Sequence, residues 1–153
     1  MVLDLAGCAV VHISAGFASL AGAIYLGKRK FKDLKSYNTS YVLLGTGMLW
    51  FGWFGFNSGS ALGANEDAIL AFVTTNTASA ICMITWLVIE GIKGHKIKVI
   101  DACIGAVVGL VIITPAAGFV NISQSMFMGA FGAVSCNLFL NFFKRFDIDD
   151  SLD

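Results

Sequence analysis

Apolar residues run along this chain in five long stretches separated by short polar breaks. They extend from about Leu5 to Gly27, Ser40 to Leu62, Ala68 to Ile89, Val99 to Val120 and Met126 to Phe143. Each approaches the roughly 20 residues that a helix needs to cross a hydrocarbon core of about 30 Å. The pattern predicts an all-α fold, a polytopic transmembrane bundle of about five helices. No repeat of about 20–50 residues interrupts it, and no Pro- or Ser-rich linker divides it.

Composition supports lipid as the second solvent. Of the 153 residues, 57% are hydrophobic and only 13% charged, against about 45–50% and about 25% in a soluble domain. So few charges cannot cover a water-facing surface. The formal net charge of zero gives no basic signal for nucleic acid. The length allows one domain, residues 1–153. Cys8, Cys82, Cys103 and Cys136 all lie in apolar stretches without a CxxC pair. They read as small buried hydrophobes rather than a disulfide or zinc framework. Asp4 precedes the first apolar run without a basic segment before it, so no cleavable signal peptide is expected.

The polar breaks set an orientation. All ten Lys and Arg residues fall in the first loop (Lys28 to Lys35), the third loop (Lys93, Lys96, Lys98) and the tail (Lys144, Arg145). With five spans these three segments share one side, whereas Glu66 and Asp67 lie in the second loop. The positive-inside rule puts the basic side in the cytoplasm, the N-terminus outside and the C-terminus inside. Small residues at helical spacing predict close packing: Gly55 with Gly59, Gly105 with Gly109, and Ala15, Ser19 and Ala23.

Polar groups within the spans are the candidates for chemistry. His12 stands among Val10, Val11 and Ile13, ~10 Å below the outer end of its helix at about 1.5 Å per residue. It is either a structural histidine bonded to a neighbouring helix or a pore-lining group that gives or accepts a hydrogen bond or relays a proton. Asp4, Cys8 and His12 share one face at i, i+4, i+8 spacing. Three ligands spread over ~12 Å of one helix cannot converge on one metal ion, and Asp4 is expected to cap the helix start. In the second span, Trp50, Phe51, Trp53, Phe54 and Phe56 precede Asn57, Ser58 and Ser60. This run is an interfacial belt or, with Trp53, Phe56 and Ser60 on one stripe, an aromatic face for a cation. Thr74, Thr75, Asn76, Thr77 and Ser79 predict interhelical hydrogen bonds. Thr114-Pro115 breaks the fourth helix ladder, and Asp101 caps its start. Glu90 ends the third span. No nucleophile–base pair, P-loop or dinucleotide fingerprint is present.

Four segments carry a family likeness. Asp-Leu-Ala-Gly-Cys-Ala-Val-Val-His-Ile from Asp4 to Ile13 is one. Trp-Phe-Gly-Trp-Phe-Gly-Phe-Asn-Ser-Gly-Ser-Ala from Trp50 to Ala61 is the second. Ile-Thr-Pro-Ala-Ala-Gly-Phe-Val from Ile113 to Val120 and Asp-Asp-Ser-Leu-Asp from Asp149 to Asp153 are the others. In order and spacing they resemble the ammonium transporter family (Amt/Mep/Rh), mainly its Amt/Mep branch. The resemblance implies eleven transmembrane helices in two inverted five-helix halves plus a last helix, with this chain as helices five to nine.

What the resemblance implies for residues is specific. His12 matches the first of two pore histidines. Leu49, Trp53 and Thr114 match positions lining or close to the pore. Ser60 and Phe56 match the outer ammonium-recruitment site and its mouth, and Asp4 matches a vestibule carboxylate that is structural or aids recruitment. Ammonium, with methylammonium as a congener, would be recruited outside, lose its proton and pass as ammonia along the histidines. No cofactor and no enzymatic activity are implied. The implied partners are the bilayer, two further copies in a homotrimer and a regulatory protein at the cytoplasmic face. The second histidine and the first four helices lie outside the chain, so the fragment by itself is expected not to transport. An ammonium sensor, a structural membrane subunit and an intramembrane enzyme using His12 and Asp4 are the competing readings.

Overall fold

A computed structural model describes residues 4–27 and 38–143. The basic first loop and tail, and the segment from Asp149 to Asp153, lie outside the described residues. A five-residue π-helical turn, Ala9–Ile13, leads into α1 (Ser14–Leu26). It is followed by α2 (Thr39–Gly59), α3 (Glu66–Ile92), α4 (Val99–Ile113) and α5 (Ile122–Phe143), with no strand among the described residues. Three helical stretches, Ala9–Leu26, Glu66–Ile92 and Ile122–Phe143, are long and apolar enough to cross a membrane.

Each helix start has a local cause, because its first N–H groups lack partners within the helix. The Asn38 side chain accepts from the Ser40 and Tyr41 amides at 3.0 and 3.4 Å. Asn65 accepts from Ala68 N at 2.9 Å, with Glu66 and Asp67 in the first turn facing the positive end of α3. Asp101 accepts from Lys98 N at 2.8 Å. At the start of α5, Asn121 and Gln124 bond each other's amides reciprocally, both at 2.9 Å.

The core lies around α3. Its buried residues Ala71, Thr74, Thr75, Ala78, Ser79, Cys82 and Trp86 recur at helical spacing and face α4 and α5. Small residues let the backbones touch. A Cβ on Gly109 would stand 2.6 Å from Ser79 Cα, and one on Gly129 would stand 2.4 Å from the Ala78 carbonyl oxygen. Gly105 with Gly109 therefore works as a packing step. Gly55 and Gly59 meet nothing within 4 Å among the described residues, and Ala15 and Ser19 are exposed. Cys8, Cys82 and Cys103 are buried free thiols, and Cys136 is a half-buried one.

The threonine-rich run divides its work. Thr74 donates to Ala117 O at 2.6 Å, Ser79 to Ala106 O at 2.8 Å, and Thr75 accepts from Asn57 Nδ2 at 2.9 Å. Thr77 instead donates to Val73 O of its own helix at 2.8 Å. At the C-terminal end of α3, Glu90 accepts from Asn137 Nδ2 at 2.9 Å and pairs with Lys93 at 3.2 Å and His95 Nδ1 at 2.6 Å. Lys93 Nζ also donates to Asn137 Oδ1. This cluster ties the loop after α3 to α5.

The fourth apolar stretch differs from its expected helix of 99–120. The α-helix stops at Ile113, and 114–120 form turns. Pro115 has no N–H for Val111 O, and its ring disfavours further helix. Cys8 Sγ–H donates to that freed carbonyl at 3.6 Å. Leu5 N donates to Pro115 O at 3.3 Å, and the Ala117 carbonyl takes the Thr74 hydroxyl. Irregular backbone at membrane depth survives when protein groups satisfy it. Replacing Thr74 with valine should therefore lower stability by about 1–3 kcal/mol, the cost of a buried carbonyl left unpaired. Thermal melting of the full-length protein in detergent reads this, and an unchanged midpoint would refute it.

Candidate functional site in the pocket beside His12

The π-helical turn places His12 opposite the aromatic stripe of α2. Such turns insert one residue per turn relative to an α-helix and so rotate the side chains that follow. Asp4 stands before the helix, not on it. Its Oδ1 accepts from Cys8 N at 2.7 Å and its Oδ2 from Ala9 N at 2.9 Å. The shared face of Asp4, Cys8 and His12 is thus replaced by a cap, a thiol turned toward α4 and an imidazole turned toward α2.

The His12 imidazole stacks on the Trp53 indole, with centroids 5.3 Å apart and planes 10° from parallel. Phe56 meets both rings edge-on, at 6.1 Å from His12 and 5.8 Å from Trp53. Val11, His12, Met48, Leu49, Gly52, Trp53 and Phe56 line a concave pocket of ≈ 360 Å³. The five α2 residues recur at i, i+1, i+4, i+5 and i+8, one face of a helix. His12 Nε2 is buried and has no hydrogen-bond partner among the described residues. A neutral imidazole offers one donor and one acceptor. Among the described residues no carboxylate lines the pocket, so a cation entering it would meet no counter-charge from them.

Of the residues expected at the site, His12, Leu49, Trp53 and Phe56 come together in the pocket. Ser60, Asp4 and Thr114 do not line it. Ser60 stands one turn beyond Phe56 and donates to Phe56 O at 2.7 Å. Thr114 is fully buried behind the wall, where it accepts from Trp53 Nε1 at 2.7 Å. Asn57, Thr75, Met48, Gly52 and Val11 were not expected at or behind the pocket. Counting back in steps of four from Phe56 finds Gly52 and Met48, and one such step back from Trp53 finds Leu49, all on the pocket face. Asn57, fully buried, bridges Thr75 at 2.9 Å and Thr114 at 3.5 Å. No local signal marks that bridge, because its partners lie 18 and 57 positions away.

Known proteins resemble this chain along almost its whole length. The family model described as Ammonium Transporter Family matches residues 1–153. An ammonium transporter of Aquifex aeolicus is 49% identical over 152 residues, covering 99% of this chain and 36% of that protein. The crystal structure of Saccharomyces cerevisiae Mep2 superposes with a TM-score of 0.89 at 39% identity, covering 99% of this chain and 36% of the other. A structure titled Sensor Amt Protein superposes at 0.88 with 31% identity, covering 97% of this chain and 39% of the other. The chain thus spans about a third of the length of these relatives. On the match to its whole length, this chain belongs to the ammonium transporter family.

Proposed function

We propose that the full-length protein containing this chain carries ammonium across a membrane and passes it as ammonia through the pocket beside His12. One observation carries the proposal most: an apolar pocket whose only titratable group among the described residues is an imidazole with a buried, unpartnered Nε2. An unpaired charge in such a pocket would cost tens of kcal/mol by Born solvation. Neutral ammonia gives up only hydrogen bonds, and one imidazole nitrogen can replace one of them. Phe56 and Ser60, at the end of α2 beyond His12, suit recruitment of the cation, since an aromatic face and a hydroxyl oxygen both favour it. Leu49 and Trp53 wall the pocket. Asp4 holds the helix start and bears on recruitment only through the position of His12.

The same proposal takes the full-length protein as a homotrimer with basic loops in the cytoplasm, where a regulatory protein would find them. Methylammonium is the congener that reports on flux. Labelled methylammonium uptake by the full-length protein in a transport-deficient cell, with and without His12→Ala, is the test. Uptake should change at least about threefold at equal membrane abundance, since a single hydrogen bond contributes about 0.5–1.5 kcal/mol. Uptake by neither form, with protein present in the membrane, would refute transport. It would favour a sensor, a second reading supported by the likeness to the structure titled Sensor Amt Protein.

A further inference from the structure

We infer that Thr114 is a positioning residue. Its hydroxyl sets the plane of the Trp53 indole and, through it, the imidazole of His12. The inference rests on the proposed pocket but concerns a residue outside the pocket wall.

The direction of each hydrogen bond makes the case. A hydroxyl has one proton to give. Thr114 gives it to Leu110 O, at 2.6 Å within the last turn of α4. Its oxygen is left as an acceptor facing Trp53 Nε1 at 2.7 Å. An indole N–H can only donate, so the ring has one satisfied orientation at this site. Asn57 Nδ2 approaches the same oxygen at 3.5 Å while donating to Thr75 at 2.9 Å, which braces the hydroxyl from α3. Thr114 is fully buried. Pro115 follows it directly and ends α4, so the hydroxyl sits on a backbone that cannot extend as helix. The indole so held is parallel to His12. The chain of contacts runs from the end of α4, through α2, to the π-helical turn.

Four full-length variants decide this: Thr114→Val, Thr114→Ser, Trp53→Phe, and Thr114→Val combined with Trp53→Phe. Valine keeps the branched shape and removes the acceptor. Serine keeps the acceptor and removes the methyl. Phenylalanine keeps a ring and removes the donor. Methylammonium uptake at equal membrane abundance should fall about tenfold in Thr114→Val, the order expected for a buried donor left unpaired. Serine should restore it to within about twofold. Trp53→Phe should reproduce the valine defect, and adding Thr114→Val to it should do nothing more, the non-additivity of groups that act as one unit.

Additive losses, or a serine variant as poor as valine, would overturn the inference. If Thr114→Val does not reach the membrane, Trp53→Phe still decides, because wild-type uptake by that variant overturns it. A second readout is independent of transport. In purified protein with labelled tryptophan, the Trp53 indole N–H resonance should move upfield in Thr114→Val and stay in Thr114→Ser. A parent without uptake but with that shift would refute transport and keep the positioning role. An unmoved resonance would refute the positioning role.

Discussion

Full-length protein carrying Gly129→Ala is expected to melt well below wild type, and Gly129→Val is expected not to accumulate in the membrane. α5 crosses α3 at Gly129 with no room for a side chain. A Cβ there would lie 2.4 Å from the Ala78 carbonyl oxygen and 3.1 Å from Ala78 C and Cα. These are backbone atoms and cannot swing aside. The helices must separate, which strips contacts from the Ala71, Ala78 and Ile113 cluster. Overpacking of this kind costs about 1–3 kcal/mol, occasionally more, and a valine adds two further methyls. Gly132 is the internal control. A Cβ there meets the end of the Ile112 side chain, with Cδ1 at 2.0 Å, and a flexible terminus can turn away. Gly132→Ala should therefore lose less than Gly129→Ala. Melting in detergent of both variants measures the difference, and an equal or reversed order would contradict the packing described here.

Trp53→Ala should abolish discrimination against potassium. The indole covers one face of His12, meets Phe56 edge-on, and gives its N–H to Thr114. Its loss opens the pocket on the side of α4 and leaves the Thr114 oxygen without its donor. A widened pocket with a free polar group can admit water. Water lowers the desolvation barrier for every monovalent cation, since an ion that keeps part of its shell avoids most of the Born cost. Methylammonium uptake by the variant should then be inhibited by potassium at concentrations that leave the wild type unaffected. Uptake that is insensitive to potassium in both would show that the indole is not what keeps the pocket dry.

The polar tie behind that indole also explains what was legible in the chain. Residues on one helix follow from spacing alone, so Trp53 and Phe56 could be placed on one stripe before any fold was known. The resemblance places Thr114 close to the pore, but does not say on which side of the wall its hydroxyl stands. That hydroxyl is buried behind Trp53. Which way a residue at a helix end faces depends on the helices around it. Asp4 caps the helix start as its place before the first apolar run predicts. What spacing did not show is the π-helical turn, which changes the phase of the side chains that follow.

The sequence by itself determined the solvent, the number of apolar helices and their polar ends, because hydropathy, length and charge are sums over neighbouring residues. It also singled out His12 and the aromatic stripe of α2, since a histidine within an apolar run and a helical period are local properties. Tertiary structure alone decided which small-residue faces pack, that the Val111 carbonyl freed by Pro115 is capped by Cys8, and that Thr114 supports Trp53 from behind. Each of these depends on atoms brought together from distant positions, 61 residues apart for Thr114 and Trp53 and 103 for Cys8 and Val111. Contacts at that separation are set by how helices cross, and no periodicity within a single helix encodes the crossing.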